Sequence, residues 1–327
     1  MSRLRKFLNG VLAGGAGVAA LATVNAVIAR SAPEPEDDAP GGEASIFPWQ
    51  HGQVVYRVAG AEDAPPLLFV HGVGAGASAF MWRRNFDALA ENFRVYAPDL
   101  LGFGASAKPA NAPYSADLYV ELIAGFLRQV VGGRPAIIVA GSLGAAFAVR
   151  VADEHPALVA SLVLTSPTGF DNLSARPGMR GAAFYGLLHS PVLGTSFYNA
   201  VASERSIRDY ARKQLFYDKR FATQGLTANL YAASHQPGAQ HAMAAFLSGF
   251  LNTDIREAFA RLRQQVTLVW GKQDTANPVA QAATLLRLNP RARLEVFDRC
   301  RMMPQEEHAE KFNDLLRATH HARSAAA

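Results

Sequence analysis

Apolar positions fall into short, nearly continuous runs separated by turn formers. The runs at 54–58, 66–70, 93–97, 136–140, 161–165, 266–270 and 294–298 are rich in Val, Leu, Ile and Phe. Runs this short and this uniformly apolar read as strands buried on both faces. Between several of them, 78–91, 116–131 and the stretch from Ser142 to about Glu154 space their apolar residues at helical intervals. Strand and helix alternate, which calls for an α/β fold, a mostly parallel sheet with helices on both faces. Ligands in such sheets bind at the carboxyl ends of the strands.

The central interruption is Arg134-Pro-Ala-Ile-Ile-Val-Ala-Gly-Ser-Leu-Gly-Ala-Ala. An apolar strand breaks at Gly141-Ser142 and resumes as an alanine-rich helix, so Ser142 stands at the apex of a sharp turn. Ala140 and Gly144 on either side are small enough for the backbone to close there. Ser142 is therefore the candidate nucleophile. After the 66–70 strand comes His71-Gly-Val-Gly-Ala-Gly76, whose glycines can turn main-chain N–H groups outward. The N–H groups of Val73 and Leu143 form the candidate oxyanion hole. A packing turn would also account for the glycines.

Composition narrows the setting. The chain has 327 residues and a net charge of +5, small for this length and spread over scattered arginines, so nucleic acid is not a partner. Cys300 is the single cysteine, which excludes an internal disulfide. No cofactor is called for, and no metal-ligand spacing is found. Residues 7–29 carry no charge and follow Arg3, Arg5 and Lys6. At about 1.5 Å per residue this stretch reaches about 35 Å, enough to cross a bilayer core of about 30 Å. Segment 1–30 is thus expected to be a single membrane anchor that leaves the remaining chain on the non-cytoplasmic side. Its many Gly and Ala residues keep a cleaved signal peptide, with export, as the alternative. Residues 31–46, with Pro33, Pro35, Pro40 and Glu34, Glu36, Asp37, Asp38, Glu43, read as an acidic tether. The folded domain is expected over 47–322, followed by a short tail at 323–327.

His71-Gly72, Asp99-Leu-Leu-Gly-Phe-Gly-Ala-Ser106, the Ser142 elbow and Val266-Thr-Leu-Val-Trp-Gly-Lys-Gln-Asp274 together resemble the α/β-hydrolase superfamily, in its serine-nucleophile, esterase- and lipase-like branch. The resemblance covers roughly 47–317. It implies the α/β-hydrolase fold with a helical cap inserted after the sixth strand. It also implies that Ser142 is the nucleophile and Asp274 the acid of a triad. Serine at the elbow argues against haloalkane dehalogenases and epoxide hydrolases. The histidine departs from the pattern. Similar family members read Gly-His ahead of Met-Pro, whereas this chain reads Cys300-Arg-Met-Met-Pro-Gln-Glu-Glu-His308. Aligned on Pro304, Glu307 and Phe312, Arg301 takes the glycine position and Met302 the histidine position. A thioether takes up no proton at neutral pH. Arg301 is expected to pair with Asp274, turning a catalytic acid into a structural ion pair.

His71, His235 and His241 are the candidate surrogate bases. The first lies beside the elbow, where the fold uses it to hold the oxyanion turn; the other two belong to the cap, about 170–254. Cap aromatics such as Tyr185, Tyr198, Tyr210, Phe216 and Phe250 are expected to form its core, with a minority lining an apolar pocket over Ser142. The excess of basic residues over 171–221 reads as a solvated face, with contact to anionic lipid as the alternative. Two function classes stand side by side. One is a serine hydrolase of a small apolar ester or acyl substrate, weak or conditional for want of the histidine. The other is a non-catalytic pseudo-hydrolase that binds a lipophilic ligand or a protein partner.

Overall fold

The computed structural model describes the backbone of residues 2–34 and 40–324, and side chains over 17–34 and 40–319. Pro35, Glu36, Asp37 and Asp38 of the expected tether and tail residues 325–327 lie outside it. Helix α1 (Ser2–Ser31) precedes the sheet. The strands are β1 (Glu43–Trp49), β2 (Gly52–Ala59), β3 (Pro66–Val70), β4 (Arg94–Pro98), β5 (Ala136–Gly141), β6 (Val159–Thr165), β7 (Gln265–Gly271) and β8 (Arg293–Phe297). They form one sheet in the order β1-β2-β4-β3-β5-β6-β7-β8. β1–β2 and β2–β4 pair antiparallel, and every other pair is parallel. Helices α2 (Phe86–Ala90), α3 (Ala116–Gln129) and α4 (Ser142–Glu154) connect the first strands. Helices α5 (Met179–Leu188), α6 (Leu193–Val201), α7 (Glu204–Tyr210), α8 (Gln224–Ser234) and α9 (Ala239–Leu247) form the cap between β6 and β7. Helices α10 (Arg256–Arg261), α11 (Ala282–Leu288), α12 (Pro304–Glu307) and α13 (Ala309–Ser324) complete the two outer layers. This is the α/β-hydrolase fold.

Strand pleating explains the uniformly apolar runs. Successive side chains point to opposite faces, so Leu68, Val70, Ile138, Ala140, Leu162, Leu164, Leu268 and Trp270 join one core. Leu67, Phe69, Ile137, Val139, Val163 and Val269 join the other. With helices over both faces, every position of β3 and β5 is buried, whereas the outer β2 and β8 are partly exposed.

Two expectations about elements change. β1 starts at Glu43, within the stretch read as tether; of its residues only Phe47 is buried, so an edge strand left no apolar run to recognise. The helix expected over 78–91 is broken into a 3₁₀ turn, Ala79–Trp82, and the short α2. Asn85 at the break is buried, and its Nδ2 donates to Gln305 O at 3.2 Å and Asn313 Oδ1 at 2.8 Å, tying this connection to the last helices.

The expected membrane anchor is corrected. Among the described residues no helix is long and apolar enough to cross a membrane, and the membrane partner and localisation drawn from such a span lose their support. Gly10, Gly14, Gly15 and Gly17 add no apolar side chain to α1. Its described part is instead a docking element for the cap. Asn25, buried, donates from Nδ2 to Val192 O at 3.1 Å and Ser196 Oγ at 3.0 Å, and its Oδ1 accepts from Asn199 Nδ2 at 3.0 Å. Three of the eight basic residues over 171–221 are in local ion pairs, Arg208–Glu204, Lys213–Asp209 and Arg220–Asp218.

Candidate active site

Ser142 is the first residue of α4 and has φ 51°, a left-handed backbone that non-glycine residues seldom adopt. The strain has a visible cause. A Cβ on Gly144 would lie 2.3 Å from His71 O, so the helix can sit against the turn after β3 only because that position is glycine. One on Gly141 would lie 3.0 Å from Thr165 Oγ1. β5, α4 and the His71-Gly72 turn are thereby locked together around the serine. The Leu143 N–H belongs to the first turn of α4, where no intrahelical acceptor exists. Among the described residues no main-chain acceptor takes the Val73 N–H. Both donors remain available to an oxyanion.

Asp274 lies just beyond β7 and is buried. Its Oδ1 accepts from the N–H groups of Ala276 and Asn277, both at 2.9 Å, and its Oδ2 accepts from Ser166 Oγ at 2.8 Å. Burial raises its pKa above the ordinary carboxylate value against the pull of these bonds. The expected ion pair with Arg301 is absent among the described residues: the guanidinium instead donates to Lys213 O in the cap, and the Arg301 N–H donates to Glu307 Oε2 at 2.9 Å. Ser166 has taken up the acid's free oxygen, which relieves the burial cost that the pairing argument assigned to arginine.

Met302 is half-buried against a cluster that includes Phe80, Ile207, Phe216 and Leu230. Its Sδ accepts from the Tyr210 hydroxyl at 3.7 Å. Tyr210, the last residue of α7, is 48% exposed. Burial, and then the charge of Asp274, raise the phenol's pKa. The sequence marks Tyr210 only as a cap aromatic, because no local pattern tells which tyrosine will reach Met302.

The three surrogate histidines stand apart from this pair. His71 is fully buried; its Nδ1–H donates to Gly72 O at 2.7 Å and its Nε2 accepts from Leu100 N at 2.9 Å. Both nitrogens are used, and burial lowers its pKa, so it is a neutral structural ring. His235 caps α8, with Nδ1 against Tyr231 O at 2.9 Å and the ring 4.1 Å from that of Tyr231. His241 faces His189, ring centroids 5.7 Å apart. Burial lowers the pKa of both. Neither makes a hydrogen bond to Ser142, Asp274 or Met302 among the described residues. A cleft of about 530 Å³ opens beside α8, lined by Ser78, Asp99, Lys108 and Asn229; Ser142 is not on its wall.

Comparison with known proteins places this geometry in context. A family model described as the alpha/beta hydrolase fold matches residues 65–309. A 2-hydroxymuconate semialdehyde hydrolase of Pseudomonas sp. (strain CF600) is 30% identical over 260 residues, covering 77% of this chain and 85% of the relative. A pimeloyl-[acyl-carrier protein] methyl ester esterase of Aromatoleum aromaticum is 31% identical over 251 residues, covering 76% and 95%. Among solved structures, a meta-cleavage product hydrolase of Pseudomonas fluorescens IP01 superposes with a TM-score of 0.68 at 26% identity, over 83% of this chain and 95% of that one.

Proposed function

The chain belongs to the α/β-hydrolase fold family, and from that premise we propose that it is a serine hydrolase of a small apolar acyl substrate whose turnover is slow because the triad's imidazole is missing. Ser142 is the nucleophile, Asp274 the acid, and the N–H groups of Val73 and Leu143 hold the oxyanion. The α/β layers from β1 onward carry this site, and the helices between β6 and β7 cover it. One observation carries the reading: Ser142 is held at φ 51° by a helix seated flush on the His71 carbonyl. Strain of this kind costs about 1–3 kcal/mol and persists where surrounding packing enforces it, most often at functional sites. Similar proteins include a pimeloyl-[acyl-carrier protein] methyl ester esterase, a 2-hydroxymuconate semialdehyde hydrolase and a meta-cleavage product hydrolase, all hydrolases.

Met302 favours a second reading, a pseudo-hydrolase that binds a lipophilic ligand or partner in the same place. Removing a triad histidine costs about 10⁶ in turnover, while an intact oxyanion hole and binding retain about 10³–10⁴ over water. Labelling by a fluorophosphonate separates the two. The full chain is expected to gain one probe mass by intact mass spectrometry, slowly, and Ser142→Ala to gain none. A folded protein that stays unlabelled after long exposure would leave only the binding reading.

A further inference from the structure

The two residues that depart from the family pattern, Arg301 and Met302, both contact one short cap segment. The Arg301 guanidinium donates to Lys213 O, and Met302 Sδ accepts from the Tyr210 hydroxyl. The same segment is fastened at Gln214, whose Oε1 accepts from Thr275 Oγ1 at 2.9 Å, one residue past the acid. It is fastened again where the N–H groups of Tyr217 and Asp218 donate to Glu307 Oε1 at 2.8 and 2.9 Å. Between these points lies a π turn, Ala211–Leu215, a rare geometry concentrated at functional sites. A tyrosine ending an exposed helix would ordinarily extend into water. Here the anchors hold its hydroxyl over the loops that carry Asp274 and Met302.

We propose that Tyr210 is the proton carrier of this site, standing between Ser142 and Asp274 in place of a histidine. The inference rests on Ser142 being the nucleophile. A thioether is a weak acceptor, so the hydroxyl leaves Met302 Sδ at little cost. Among the described residues Asp274 Oδ2 has Ser166 as its one donor, and it keeps a lone pair for the phenol. In acylation Ser142 Oγ bonds to the acyl carbon and gives its proton to the phenol oxygen, as the phenol proton passes to Asp274 Oδ2. The carbonyl electron pair moves onto the oxygen held by Val73 and Leu143. When the tetrahedral intermediate collapses, the bond to the leaving oxygen breaks, and the proton returns from Asp274 through the phenol to that oxygen. Water then replaces Ser142 by the same path. A phenol ordinarily ionises near about 10, far from neutral, which makes it a poorer carrier than imidazole and accounts for slow turnover.

The test uses the full chain and its Tyr210→Phe, Tyr217→Phe and Ser142→Ala variants, with p-nitrophenyl butyrate turnover and fluorophosphonate labelling measured from pH 5 to 9. Tyr217 is an exposed tyrosine of the same segment and controls for hydroxyl loss. Tyr210→Phe is expected to keep its melting temperature and KM, lose at least ten-fold in kcat, and lose the rise of kcat with pH that reports ionisation of Asp274. Tyr217→Phe is expected to match the parent. If Tyr210→Phe turns over like the parent while Ser142→Ala is dead, the relay is wrong and the nucleophile stands. A rate loss that comes with a lowered melting temperature and an unchanged pH profile would make Tyr210 a structural residue and overturn the proposal. No Ser142-dependent labelling in the parent would remove the hydrolase reading and the relay with it.

Discussion

At the scale of single residues, the proposed site is a serine triad altered at one position. Ser142 is held at positive φ, Gly144 is seated on the His71 carbonyl and Asp274 is buried, as the proposed nucleophile-and-acid arrangement requires. Ser166 donates to Asp274 Oδ2, which keeps a lone pair for a further donor. Returning the imidazole should therefore restore much of the chemistry. Met302→His, alone and with Arg301→Gly to free the turn, is expected to raise ester turnover by about 10² or more, a small part of what a triad histidine supplies. The double variant also cuts the Arg301 tie to Lys213, so its KM should rise more than that of the single variant. Unchanged turnover in both folded variants would mean the elbow is not competent. The strand–turn–helix at Ser142 was legible in the chain, because local turn chemistry marks it, and motif order supplied the proposals for Asp274 and Met302. Tyr210 and Ser166 were not legible, since each acts through a neighbour about 90 or more residues away.

At the scale of elements, what could be read followed burial. Strands enclosed by two helical layers show as apolar runs, whereas β1 buries Phe47 alone and is held by main-chain pairing to β2, which leaves no mark on side-chain pattern. Helix α1 shows the opposite error: an uncharged stretch was read for its reach, while its described end is organised by one polar residue. Asn25 uses both ends of its amide on α6 and the turn before it. Asn25→Ala would leave part-buried acceptors and donors at the start of α6 unpaired, a cost of about 1–2 kcal/mol. Amide exchange in α1 is expected to quicken about five- to thirty-fold while the central strands keep their protection. Equal quickening in both would show that α1 and the sheet open as one unit.

At the scale of the whole molecule, the last helices join the sheet and the turn beside the site through a buried carboxyl. Glu306 is fully buried and ion-paired with Arg83, whose guanidinium lies 4.0 Å over the Phe80 ring. Burial outweighs the attraction of Arg83 and Arg84 and pushes its pKa up to about 7. A carboxyl raised on folding binds its proton more tightly in the native state than in the unfolded chain. Its contribution to stability is thus full below the unfolded value of about 4.3 and is lost as pH rises through about 7. The melting temperature is expected to fall between pH 5 and 8, and Glu306→Gln to flatten that slope. An identical slope in the variant would assign it to other groups.

The chain by itself determined the parallel sheet and the sharp turn at Ser142, and it carried the proposals of Asp274 as the acid and Met302 at the histidine position. Each of these is written in residues close together in sequence: a run of apolar side chains, a serine between small neighbours, a strand ending in aspartate. Only the tertiary structure decided what surrounds them. It closed both nitrogens of His71, sent Arg301 to the cap instead of the acid, turned α1 against α6, and set the Tyr210 hydroxyl at Met302. Those contacts join segments far apart along the chain, and their geometry depends on how the cap packs over the sheet, which no local pattern of residues encodes.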